Sequence, residues 1–220
     1  NGMTVGGDNN VIANNTVMDT MVAIVLLGST DNIVTNNHII TELHPDPWGG
    51  IALWEFCMNN TIRDNLIEFH CHPPIIAAGA DGIELRHSFY NDIEGNTILG
   101  LQVGIMLSYS YNNTVSYNRI ANVTYNNRIR MIPSCNAIQL YHASDNSILG
   151  NEISSVDSNA ILLWESSSNN IVQANNIDRS HNGIALHYFA ENNTIVNNAL
   201  SRIDSWSILV DESSGNLLYD

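Results

Sequence analysis

The sequence predicts an all-β fold, a right-handed parallel β-helix (a solenoid) of about nine coils with three short strands in each, and three observations carry that expectation. One template, Asn-x-Ile-x-x-Asn-x-Ile, recurs along the whole chain. A shorter one, Gly/Ala-Ile-x-Leu, falls once between successive copies. In both, the apolar residues lie two apart, which is the period of a strand, and helical spacing is absent.

The first template reads NVIANNTV, NIVTNNHI, NTIRDNLI, NDIEGNTI, NTVSYNRI, NSILGNEI, NIVQANNI and NTIVNNAL, and NLLYD begins a ninth copy. The leading asparagines are Asn10, Asn32, Asn60, Asn91, Asn113, Asn146, Asn170, Asn193 and Asn216, spaced by 22, 28, 31, 22, 33, 24, 23 and 23 residues. A minimum near 22 is one coil, and the excess is loop. Asn15, Asn37, Asn65, Asn96, Asn118, Asn151, Asn175 and Asn198 form the second asparagine series. Asparagine tolerates left-handed turns and hydrogen-bonds to its own turn, so stacked copies predict an internal asparagine ladder that satisfies buried backbone groups. The second template reads AIVL, GIAL, GIEL, GIML, AIQL, AILL and GIAL, with SILV as the eighth copy. It supplies one strand per coil, and the two halves of the first template supply the others. Residues 1–220 form a single domain on this reading.

This pattern resembles the NosD-like family of parallel β-helix repeats, also called carbohydrate-binding and sugar-hydrolase repeats. Relatives of that architecture include pectate lyases, alginate epimerases, phage tailspikes and cell-surface proteins. The resemblance therefore implies a fold and leaves the function open.

Asp and Glu number 22 against seven basic residues, all arginine, for a net charge of −15. That balance disfavours nucleic-acid backbones and anionic membrane surfaces as partners. No apolar run reaches the length of a membrane span. The chain starts at Asn1 without an initiator Met, and no capping helix precedes Asn10 or follows Asn216. Open strand edges template association, so the expectation is a segment of a longer or polymerised assembly, its partners being copies of itself or adjoining solenoid segments. Cys57, Cys71 and Cys135 allow one disulfide with a spare thiol, an intermolecular bridge, or three buried thiols.

Three coils are long, and each places its excess just before the Ile-x-Leu strand: after Ile39, Ile67 and Ile120. In related β-helix enzymes the corresponding loops wall a cleft over that strand's outer face. The positions after each Ile-x-Leu would face or rim it: Trp54 with Glu55, Arg86 with His87, Ser108 with Tyr109, Tyr141 with His142, Trp164 with Glu165, and His187 with Tyr188. Glu84 and Gln139 project from the same face. Aromatic rings stack on sugars, and histidines and carboxylates move protons. Equally, the outer face of any solenoid is polar, and Tyr and Trp suit pleated surfaces.

A uronate lyase or epimerase needs a base, an acid and a cation, parts that His87, Tyr109, His142 and Arg86 could fill as catalytic residues. The Asp-Pro-His-Asp motif of the alginate epimerases is missing, as is the lysine often found in pectate-lyase-like sites. Glu55 with Glu84 is the alternative pair for glycoside hydrolysis. The string His70-Cys71-His72, with His44 or Cys57 nearby, has poor metal spacing, because neighbours on an extended segment point apart. No metal or cofactor is therefore expected; calcium, the weak exception, would fall at Asp157, Asp178 and Asp204, without a ligand-loop signature. Of the glycosylation sequons at Asn14, Asn59, Asn112, Asn122 and Asn192, Asn122 lies in an insertion and is the better acceptor. Three functions stand: an extracellular or cell-surface structural module assembling as a filament, which the sequence narrowly favours; a polysaccharide-processing enzyme; and a carbohydrate-binding module.

Overall fold

A computed structural model of the chain describes residues 2–42, 48–70, 80–124 and 135–219. Strands one coil apart pair in parallel with the templates in register: Ile12 with Val34, Ile39 with Ile67, Ile83 with Ile105. The first Asn-led strands, from Val11–Ala13 to Leu217–Tyr219, stack as a nine-stranded sheet. Nine strands enclose eight coil-to-coil steps, so the solenoid makes about eight turns. The second Asn-led strands and the Ile-x-Leu strands build the other two faces. In two of the coils without a long loop these two strands run on as one, at Glu152–Trp164 and Asn176–His187, with an irregularity between Val156 and Asn159 marking the corner. Residues 43–47, 71–79 and 125–134, the middles of the three insertions, lie outside the described residues.

Alternation decides which side chains fill the interior. Ile and Leu of each Ile-x-Leu strand point inward, from Ile24 and Leu26 to Ile184 and Leu186, all essentially unexposed. They meet the central Ile or Val of the Asn-led strands in one continuous core. The residue before each Ile also turns inward at the corner, which explains its restriction to Gly, Ala or Ser. A Cβ on Gly50 would sit 2.6 Å from the Gly82 carbonyl oxygen and 2.9 Å from Ile67 Cγ2.

Both asparagine ladders form. Asn60 donates from its backbone N–H to Asn91 Oδ1 at 2.9 Å and from Nδ2 to the same oxygen at 3.0 Å, and Nδ2 also reaches the Ser29 carbonyl at 3.0 Å. The second series repeats this geometry, as Asn96 does with Asn118 and the Ile62 carbonyl. One detail differs from the sequence expectation. The left-handed residue is the one before the ladder asparagine, such as Asn14, Asn59 or Asp64. The ladder residue itself stays free to aim its amide along the stack. A serine series runs parallel, with the Ser88 N–H donating to Ser110 Oγ at 3.1 Å and Ala143 to Ser167 Oγ at 3.2 Å. Cys57 occupies a serine place in this series.

Candidate functional site

The outer face of the Ile-x-Leu sheet carries two side-chain columns, and a third follows at the adjoining turn. Val25, Ala52, Glu84, Met106, Gln139, Leu162 and Ala185 stand in register between the inward residues. Beside them run Trp54, Arg86, Ser108, Tyr141, Trp164 and His187. Glu55, His87, Tyr109, His142, Glu165 and Tyr188 come next, all with left-handed φ between 43° and 61°. That backbone ends each strand and swings these side chains onto the rim. The sequence pairs therefore divide, the first members on the sheet and the second on the turn.

Charge concentrates at the third and fourth coils. Glu84 accepts from Trp54 Nε1 at 2.7 Å and from Arg86 Nη2 at 2.6 Å. Asp81 begins the same strand. Burial, and next the Glu84 charge, hold its carboxyl well above the usual 3.8, with Arg86 pulling the other way. Arg86 is thus bound to Glu84. Gln139 is buried and accepts from Asn136 Nδ2 at 2.8 Å through Oε1.

Aromatic rings dominate the fifth and sixth coils. His87 stacks on Tyr109 at 5.1 Å between ring centres, and Tyr109 on His142 at 4.9 Å. Tyr141 packs against Trp164 at 5.3 Å. Its phenol is pushed up to about 12, chiefly by hydrogen bonding to Tyr109, so it holds its proton at neutral pH. His142 Nε2 lies 3.3 Å from Glu165, and His187 Nδ1 3.2 Å from Asp211. His87, Tyr109 and His142 therefore stand together as the sequence grouped them, whereas Arg86 faces Glu84 instead of joining them.

The remaining candidates lie elsewhere. Cys57 is buried, with Sγ 3.2 Å from the Trp54 carbonyl oxygen and 3.4 Å from that of Leu26, so it is remote from surface ligation. Cys135 is a buried free thiol pushed up to about 11, first by burial and then by Asp157. His44, Cys71 and His72 lie outside the described residues, and His70 is exposed. Asp178 is taken by Arg202 and Arg179, which removes it from any calcium set with Asp157 and Asp204. Among the described residues no group of three acidic, histidine or cysteine side chains is placed to hold a metal. Asn122 is exposed and has a left-handed φ, but it lies within the strand Arg119–Val123 instead of in the insertion. Sequence reasoning passed over Asp81, because it lies two residues before the Ile of Gly-Ile-Glu-Leu, a parity that reads as inward. The corner at Gly82 reverses that parity. Phe56, 6.2 Å from His87 by ring centres, was also missed.

An aromatic-lined face of mixed polarity on a parallel β-solenoid is what these elements define. The chain belongs to the family described as the right-handed beta helix region, which matches residues 1–177 and 75–220. No curated protein sequence matches it. Among solved structures it is similar to the periplasmic alginate epimerase AlgG, as a double mutant, at 18% identity and TM-score 0.67, covering 94% of this chain and 50% of that one. A DFA-IIIase from Arthrobacter chlorophenolicus A6 in complex with GF2 gives 16% and 0.68 over 94% and 54%. The Dettilon tailspike protein gp208 gives 15% and 0.65 over 89% and 42%. The chain spans about half the length of these proteins, and at such identities the likeness is one of fold.

Proposed function

We propose that the outer face of the Ile-x-Leu sheet binds polysaccharide and processes it by proton transfer, outside the cytoplasm. The observation that carries this reading is the juxtaposition, along one face, of Trp54, Tyr141 and Trp164 with the Asp81–Glu84–Arg86 centre. These half-buried rings give a sugar apolar surface, and the carboxylates beside them address its hydroxyls. Asp81, kept protonated to higher pH than an ordinary carboxyl, is the proton donor, and Glu84, fixed by two hydrogen bonds, supplies negative charge beside the reacting carbon. His142, paired with Glu165, is a second proton acceptor further along the groove. The fold shared with a periplasmic alginate epimerase and a tailspike supports a saccharide partner and an extracytoplasmic location.

Affinity electrophoresis through gels containing alginate or neutral polysaccharides tests the binding step. Retardation by at least one glycan is expected, and Trp54→Ala with Trp164→Ala should abolish it. No retardation in any gel, or equal retardation of the variant, would sink the reading.

A further inference from the structure

The outer face of the Ile-x-Leu sheet is lopsided in charge. Without counting Asp81, Glu84 and Asp211 stand on the sheet, and Glu55, Glu165 and Glu212 on the adjoining turn. Against these carboxylates the three columns hold one arginine among the described residues, Arg86. Its guanidinium is already engaged. Nη2 donates to Glu84 Oε1 at 2.6 Å, and Oε2 of the same carboxylate accepts from Trp54 Nε1 at 2.7 Å. His142 lies against Glu165 and His187 against Asp211, so neither imidazole is left over for an incoming carboxylate. The insertions do not redress the balance in sequence, where Arg128 and Arg130 are offset by Glu42 and Asp46.

A polyuronate carries a carboxylate on every sugar unit. Laid along columns whose strands are about 4.8 Å apart, it would bring several negative charges within a Debye length, about 8 Å, of fixed ones. Taking Arg86 as its counter-ion would strip the guanidinium from Glu84, a carboxylate only 14% exposed. Like charges set side by side in this way reject a partner more than they weaken the accepted one. An uncharged glycan meets no such cost, because Trp54, Tyr141 and Trp164 offer ring faces and the carboxylates accept from its hydroxyls. Resting on the reading of this face as a saccharide groove, we infer that its ligand is an uncharged polysaccharide and that polyuronates are excluded. The likeness in fold to an alginate epimerase then does not extend to the glycan bound.

The test is calorimetric titration of the full chain with oligosaccharides cut from dextran, inulin and galactomannan, and with those from alginate and polygalacturonate. Methyl-esterified oligogalacturonate supplies one backbone without its charge. At low salt at least one uncharged glycan should bind roughly tenfold or more tighter than either polyuronate. Raising the salt to about 0.5 M should narrow that gap by screening. Glu55→Gln with Glu165→Gln should narrow it as well, and Trp54→Ala with Trp164→Ala should abolish binding of the uncharged glycan. A polyuronate bound as tightly as the best uncharged glycan overturns the assignment and leaves the groove standing, as does a gap that neither salt nor the glutamine substitutions alter. An uncharged glycan still held by the double tryptophan variant overturns it too, since binding then lies off this face. If no glycan of either kind binds, the saccharide groove itself falls and the assignment with it.

Discussion

Within the ladder, one asparagine serves three coils at once. Asn96 donates to Asn118 Oδ1 in the next coil and to the Ile62 carbonyl in the previous one, and its own Oδ1 accepts from the Asn65 backbone and side chain. All these groups are buried, so none can turn to water when the amide is removed. Asn96→Ala should therefore cost roughly 3 kcal/mol or more, the sum of buried groups left unpaired. Urea unfolding followed by circular dichroism measures this, and a loss below the scale of one ordinary hydrogen bond would show that the ladder is dispensable. Asp81 acts in the opposite sense. Its carboxyl is raised in the folded chain, so its contribution to stability is fully present below the ordinary 3.8 and is lost as pH rises through the folded value. Asp81→Asn should then make the chain more stable near neutral pH and flatten the stability profile above 3.8, while removing the proposed proton donor. Melting temperatures across that range decide it, and a variant no more stable than the native chain at neutral pH would contradict the assigned burial.

An individual strand here is only three to six residues long in most coils, too short to be stable alone, and draws its stability from neighbours above and below. Tight stacking makes the corner before each Ile-x-Leu strand intolerant of size. Gly50→Val should destabilise the chain by about 2 kcal/mol, because its side chain meets the Gly82 carbonyl and Ile67. A thermal melt unchanged by that substitution would mean that the corner relaxes freely. The strands and their facing were legible in the sequence because inward Ile and Leu recur at a fixed two-residue period. Turns were less legible. The stacked order of His87, Tyr109 and His142 depends on a left-handed backbone that non-glycine residues adopt uncommonly. Asp81 was hidden for a related reason, since one reversal of parity at a corner moves a side chain from core to face.

At the scale of the whole molecule, coil length sorts the surface. The three long coils take their extra residues after Ile39, Ile67 and Ile120, and the later coils are close to the minimum length. The period made the architecture readable from one sequence, but the site depends on which coils sit side by side across 22 to 33 residues of chain, and only the folded register brings Trp54 onto Glu84. The central claim is that saccharide lies along this face. Titrating the chain with oligosaccharide fragments of the glycan that retards it, while following the indole N–H signals of Trp54 and Trp164, tests it most directly. Both signals should move together with one affinity; fragments that bind without moving either indole would contradict the account.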